Sequence, residues 1–281
     1  MATTDRRNVL LGLGLSAATF ACKIPGLRAG ERSPNSEPGK LTLGLVADVH
    51  QDVIQDAHER LRMFIDQMKQ DKPDAIIQLG DFAIPISNNQ PFLDTWNSFD
   101  GPKYHVLGNH DTDGGYRKQQ TMEWWGMPER YYSFDKHGFH IVVLDGNDSN
   151  PEPWEGYPRY IDAEQQDWLA QDIEGTGLPT LVICHQSLEA ERGVDNRDQI
   201  RKILEAANAK AGHSKVFACL SGHHHIDYQK RSKASSISRS IACLIIGWEV
   251  HTSTRGSVLM LKRHFLTSNL PVPIAIHCSP P

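Results

Sequence analysis

The chain is poor in cysteine, with five among 281 residues. An odd number without regular spacing implies no disulfide framework, so the fold has to rest on a buried apolar core. Cys184 and Cys219 stand inside apolar runs, where a small buried thiol is the ordinary reading. Cys243 and Cys278 lie near the C-terminus and could pair, though spacing alone gives no reason to expect it. Excess basic charge is missing too. The net charge of −5 offers no general attraction to nucleic acid, so no nucleic-acid partner is expected. No internal repeat is visible. Long hydrophobic runs are also absent: the apolar stretch from Val9 to Cys22 falls short of the roughly 20 residues a spanning helix needs.

That short stretch follows Arg6-Arg7, and residues 1–22 therefore read as an export signal rather than an anchor. Paired arginines resemble a twin-arginine signal, which hands folded proteins to the export machinery; an ordinary secretory signal with a chance Arg-Arg is the alternative. The expected address is periplasmic or extracellular in a bacterial cell, with membrane contact only through a lipid on Cys22. Residues 23–40 are rich in Pro, Gly, Ser and charge and read as a flexible linker.

What the chain does hold is a series of polar motifs, each placed where an apolar run ends. Leu41 to Ala47 leads into Asp48-Val49-His50, and Ala75 to Leu79 into Gly80-Asp81. Tyr104 to Leu107 precedes Gly108-Asn109-His110-Asp111, Leu181 to Cys184 precedes His185, and Val216 to Leu220 precedes Gly222-His223-His224-His225. Runs of this kind read as buried strands, and ligands collect beyond the carboxyl ends of strands in α/β sheets. In extended backbone, residues two apart share a side, so Asp48 pairs with His50 and His223 with His225, while His224 faces away. The glycines before Asp81, Asn109 and His223 remove a Cβ where the backbone must turn close to an ion. Nitrogen and carboxylate donors converging from five strand ends can hold two divalent cations side by side, and that chemistry is hydrolysis of a phosphate ester. Two cations roughly 3.5–4 Å apart clamp the attacking and leaving oxygens, and a water bound to them ionises near neutral pH.

The ordered set D-x-H, G-D, G-N-H-[DE], H and G-H-x-H resembles the calcineurin-like metallophosphoesterase superfamily from Leu41 to His225, with every position of the pattern filled. The resemblance implies one metal held by Asp48, His50, Asp81 and His225. It implies a second held by Asp81, Asn109, His185 and His223, with Asp81 bridging. His110 is then the residue near the leaving group, and Asp111 orients it. Mixed nitrogen and oxygen ligands without thiolate suit Mn, Fe or Zn. The chain departs from the purple acid phosphatase branch, which places a Tyr ligand three residues after the bridging Asp: Ile84 stands there.

Around these motifs, strand and helix alternate, which argues an α/β protein with one domain over residues 41–229. The resemblance sharpens this to a four-layer α/β/β/α sandwich. Helices are expected over Asp56 to Lys69, with Asp56 as N-cap, over Asp162 to Ile173 and over Asp195 to Ala207, and Trp124-Trp125 belong to another that starts near Tyr116. Asp145 and Asn147, at the end of the strand Phe139 to Leu144, border the site. Trp154, Tyr157 and Tyr160 either stack on an aromatic substrate group or form a packed loop. The segment 230–281 is atypically basic and Pro-rich at its end. It reads as a partly disordered tail, a membrane-surface contact or the product of a shifted reading frame, although Ile241 to Val250 has the composition of a returning strand. The expected function is hydrolysis of a small phosphorylated substrate, whether monoester, diester or nucleotide pyrophosphate. A nuclease of the same superfamily and a non-catalytic metal-binding scaffold are the alternatives.

Overall fold

The computed structural model describes residues 40–226, 228–230, 237–240, 245–251 and 264–266. Residues up to Gly39, where the export signal and linker are expected, lie outside the described residues, as do Cys243 and Cys278. In chain order the strands are β1 (Lys40–Val46), β2 (Ala75–Gln78), β3 (Lys103–His105), β4 (Tyr132–Lys136), β5 (Phe139–Leu144), β6 (Thr180–Cys184) and β7 (Val216–Ser221). They are followed by β8 (Tyr228–Lys230), β9 (Ile237–Ser240), β10 (Ile245–His251) and β11 (His264–Leu266). The helices are α1 (Ala57–Asp71), α2 (Gln90–Asn97), α3 (Lys118–Trp125), α4 (Ala163–Gly175) and α5 (Arg197–Ala211). None of the described helices is long and apolar enough to cross a membrane.

Two sheets form, ordered β11-β10-β1-β2-β3 and β4-β5-β6-β7-β9-β8. β1, β2 and β3 run parallel, as do β5, β6, β7 and β9. The strands at the margins, β4, β8, β10 and β11, pair antiparallel. β10 runs beside β1 from Lys40↔His251 to Leu45↔Ile246, so the stretch Ile241 to Val250 does carry a strand that returns to the sheet. Both sheets therefore continue past Gln229.

Alternation along the strands sorts the core. Leu41, Leu43, Leu45 and Ile77 join Ile141, Val143, Leu181, Ile183 and Phe217 in one buried cluster that draws on both sheets. The opposite faces meet helices: Val46 and Ile76 with Leu61, Phe64, Ile65 and Met68 of α1 and Trp96 of α2, and Val142, Val182 and Val216 with Leu169 of α4 and Ile200 and Leu204 of α5. Each fully buried Leu, Ile or Phe contributes about 1.5–3 kcal/mol, so three such clusters make burial the main source of stability among the described residues. Cys184 and Cys219 are buried free thiols. Trp125 is buried and Trp124 packs beside it.

Helix starts fall within two residues of the expected positions: α1 at Ala57, α3 at Lys118, α4 at Ala163 and α5 at Arg197. Asp162 caps α4, accepting from Gln165 N at 2.8 Å. Asp56 stands at the N-cap of α1 but makes no capping bond; its carboxylate pairs with Arg60 at 2.9 Å instead.

A cluster away from the strand ends links β4, β5 and α4. His140 lies between Asp135 (Nδ1 to Oδ1, 2.6 Å) and Asp172 (Nε2 to Oδ2, 2.8 Å), and Ser133 donates to Asp172 at 2.7 Å. Burial opposes the charged imidazole, but the two carboxylates outweigh it and raise the His140 pKa above its ordinary 6.5. A raised folded-state pKa gives stability that is complete below the unfolded pKa and fades as pH rises through the folded value. His140→Gln is therefore expected to destabilise the chain more at pH ~5.5 than at pH ~8.5. Urea midpoints of the two proteins at both pH values measure this; an equal loss at the two would refute it.

Candidate metal centre

The carboxyl ends of β1, β2 and β3 in one sheet and of β6 and β7 in the other carry the polar motifs. Their loops are laced by backbone hydrogen bonds: Asp48 N to Gly80 O, His50 N to Asp81 O, Gln51 N to Phe82 O, and Gly222 N to His185 O. Asp48, His50, Asp81, His223 and His225 all have positive φ, between 50° and 70°. Few non-glycine residues adopt that conformation, and clustered cases mark sites where the surroundings enforce strain. The side chains thus converge through left-handed turns beyond the strand ends, not through the pleat of extended backbone. Glycine makes the close approach feasible. A Cβ on Gly80, itself at φ 99°, would collide with the His185 ring, and one on Gly108 would collide with Asp81.

Two ligand groups result. Donor atoms of Asp48, His50, Asp81 and His225 lie within 4.8 Å of one another, as do those of Asp81, His185 and His223. Asp81 belongs to both. His50 Nε2 and His225 Nε2 face each other at 3.0 Å, and His185 Nε2 lies 3.1 Å from Asp81 Oδ2 yet out of line for a hydrogen bond. His185 Nδ1 donates to the Leu79 carbonyl at 2.8 Å, which fixes the tautomer and leaves Nε2 as the donor aimed at the group. His223 N donates to Asp48 Oδ1 at 2.9 Å and His110 N to Asp81 Oδ1 at 2.8 Å, so each carboxylate is oriented by backbone.

Three buried polar atoms of the expected ligand set have no hydrogen-bond partner: Asp48 Oδ2, Asn109 Oδ1 and His185 Nε2. Leaving such atoms unsatisfied in the interior costs roughly 1–3 kcal/mol apiece, more when charged. Cations are the partners that would satisfy all three at once, so the residues fit a pair of metal ions. Electrostatics agree. Burial works against the Asp81 carboxylate, but His185 and the His110 amide hold it well below the usual carboxylate range. Burial likewise opposes charge on His185, but Asp81 raises its pKa to about 9, so a metal ion binding at Nε2 would have to displace that proton. Burial, with the charge of His185, lowers His223 to about 3 and keeps its ring a free base.

Asp111 departs from expectation. Its carboxylate accepts from the amides of Gly108, Asp81, Phe82 and Ala83 at 2.7, 3.0, 2.6 and 3.1 Å and does not touch His110. Burial and the Asp81 charge raise it to about 8, while the amides act in the opposite sense. Its place is that of a brace between the loops after β2 and β3. The carboxylate against His110 is Asp113, with Oδ2 at 2.7 Å from Nδ1. Tyr157 adds its hydroxyl, 2.9 Å from Asp113 Oδ1 and 3.2 Å from His110 Nδ1. Sequence reading missed Asp113 because it favoured the neighbour in the motif. Its one signal was a second acid on the same tight turn. Tyr157 packs on His110, with ring centroids 4.7 Å apart, and remains exposed. Asn147 ties the end of β5 to the site loops through the Leu107 carbonyl, whereas Asp145 is buried against Lys118 and Arg130. His224 joins neither ligand group; its Nε2 hydrogen-bonds the Glu191 carbonyl.

The sequence profile of the calcineurin-like phosphoesterases matches residues 41–227. The chain belongs to that family. No curated protein sequence matches this calcineurin-like phosphoesterase. Solved structures share its fold at low identity. A dimetal phosphatase from Danio rerio is 14% identical with a TM-score of 0.59, over 76% of this chain and 93% of that one. A putative 5'-nucleotidase from Staphylococcus aureus is 16% identical with a TM-score of 0.57, over 84% of this chain and 56% of that one. The anchor in the inner membrane complex of Plasmodium is 15% identical with a TM-score of 0.54, over 82% and 90%. Likeness at this level concerns the fold of the calcineurin-like phosphoesterase alone.

Proposed function

We propose that the chain is a metal-dependent phosphoesterase that hydrolyses a small phosphorylated substrate at two adjacent divalent cations. Asp48, His50, Asp81 and His225 would hold one cation; Asp81, Asn109, His185 and His223 would hold the other. The observation that carries this reading is the pair of ligand groups sharing Asp81, with orphaned donors in both. When bound, the cations supply Lewis acidity at the phosphoryl oxygens and a water ionised near neutral pH.

The remaining steps belong to side chains. His110 stands beside the centre and is partly exposed, its ring 5.0 Å from that of His50. With Nδ1 committed to Asp113, Nε2 is the nitrogen left to protonate a departing alkoxide. Asp113 holds the tautomer and the ring plane, and Tyr157 steadies Asp113. Burial and the Asp113 hydrogen bond raise the Tyr157 pKa to about 12, so its hydroxyl stays a neutral donor. Asp111 acts earlier, fixing the loops on which Asp81, Asn109 and His110 stand.

Purified chain loaded with Mn is expected to hydrolyse bis(p-nitrophenyl) phosphate, to lose that activity on exhaustive chelation and to regain it when metal returns. Elemental analysis should find two metal ions for each chain. Activity that persists after chelation would sink the two-metal reading.

A further inference from the structure

We propose that a cavity beside His223 is a second anion subsite, where Arg159 and Arg192 hold a carboxylate or phosphate carried by the substrate beyond its scissile phosphoryl group. The proposal rests on the phosphoesterase reading, because the metal centre takes the first phosphoryl group. The cavity measures about 390 Å³ and is lined by Glu155, Tyr157, Arg159, Arg192, His223 and His224. That volume falls in the range of small-molecule sites.

An imidazole–carbonyl hydrogen bond stitches this wall to the metal-site loop, from His224 Nε2 to Glu191 O at 2.9 Å. The next residue, Arg192, carries a guanidinium into the adjoining cavity. Arg192 sits at φ 62°, another strained non-glycine position beside the site. It is exposed and makes no ion pair among the described residues. Arg159 is engaged on one side only. Its Nη2 lies 3.4 Å from Asp195 Oδ1, while Nε is buried and has no hydrogen-bond partner. An unsatisfied buried N–H calls for an acceptor, and a guanidinium fork suits the paired oxygens of a carboxylate or phosphate. Glu155 supplies the opposing charge, but it is exposed and is the one carboxylate against two guanidinium groups in the lining. The consequence is specificity: phosphorylated acids or diphosphates are favoured over simple alkyl phosphates.

Three non-hydrolysable probes of similar length test this: propylphosphonate, 2-carboxyethylphosphonate and propane-1,3-bisphosphonate. Each is titrated by calorimetry into metal-loaded chain and into chelated chain. At least one doubly anionic probe should bind about 10-fold tighter than propylphosphonate, the scale of one charge-assisted contact. The tighter of the two identifies carboxylate or phosphate as the second group. Arg192→Gln should cut the preference to about 2-fold or less at an unchanged melting temperature, and Arg159→Gln should do the same if it folds. Equal affinity for all three probes, or a preference that survives Arg192→Gln, would overturn the subsite. Because the preference arises from the arginines, it is read in the chelated protein as well. Failure of the metal-centre reading would appear separately, as absent metal on elemental analysis.

Discussion

Asp81→Asn is expected to empty the centre. The carboxylate is shared by both ligand groups and lies in the interior, so a neutral amide removes the common negative charge that balances two cations. The asparagine can still accept the His110 amide hydrogen bond now made to Oδ1, and the loops need not rearrange. Metal content should fall from two ions to fewer than one for each chain. Turnover should drop at least about 10³-fold, the scale of losing a preorganised electrostatic contact at a reacting centre. Circular dichroism should be unchanged. A variant that keeps both ions would mean that Asp81 is not the bridge.

His110→Ala separates acid–base work from metal binding. His110 belongs to neither ligand group, so both ions should remain, while turnover on an alkyl phosphate falls on the order of 10²–10⁴-fold. The loss should shrink for p-nitrophenyl phosphate, whose leaving group departs without a proton. Asp113→Asn should reproduce this leaving-group dependence with a smaller loss, about 10–100-fold, as for an outer partner that orients a histidine. Asp111→Asn should behave differently, lowering stability and metal content together, because its carboxylate braces two loops. Elemental analysis beside rates on the two substrates distinguishes these outcomes. Loss of metal in His110→Ala would require the ligand assignment to be redrawn.

Much of the fold was legible because strand ends and ligand motifs coincide along the chain. The runs before Asp48, Asp81, Asn109, His185 and His223 are strands, and Phe139–Leu144 has the predicted bounds. Between Leu41 and Ser221, two elements escaped. α2 is short, with Pro91 at its start and only Phe92, Leu93 and Trp96 as an apolar face. β4 is partly buried and lacks clear alternation. Pairing of β9, β10 and β11 was harder still, since charge around Ile241 to Val250 obscures a strand whose partner β1 begins at Lys40, far off along the chain but adjacent in the sheet. In the site, residue types in order were enough to name Asp48, His50, Asp81, His185, His223 and His225, all of which fall into the two groups. The partner of His110 was not legible, because it depends on how the turn after Asn109 folds. Asp113 and Gly114 break the helical path there, and that break brings Asp113 rather than Asp111 against the ring.

The pairing of β1 with β10 also sets an order of assembly. β1 is the first strand described in the chain and carries the loop of Asp48 and His50, yet one of its two neighbours is supplied by residues 245–251. A growing chain presents its last ligand, His225, before that neighbour has been made. All the chemistry of the centre is then encoded, but β1 still has a bare row of amides and carbonyls, the kind of edge that recruits a foreign strand. Closing such a long loop is slow in entropic terms. Completion of the first sheet therefore waits on the far end of the chain, and the interval between the last ligand and the last strand is the period in which the folding molecule is most open to wrong pairing.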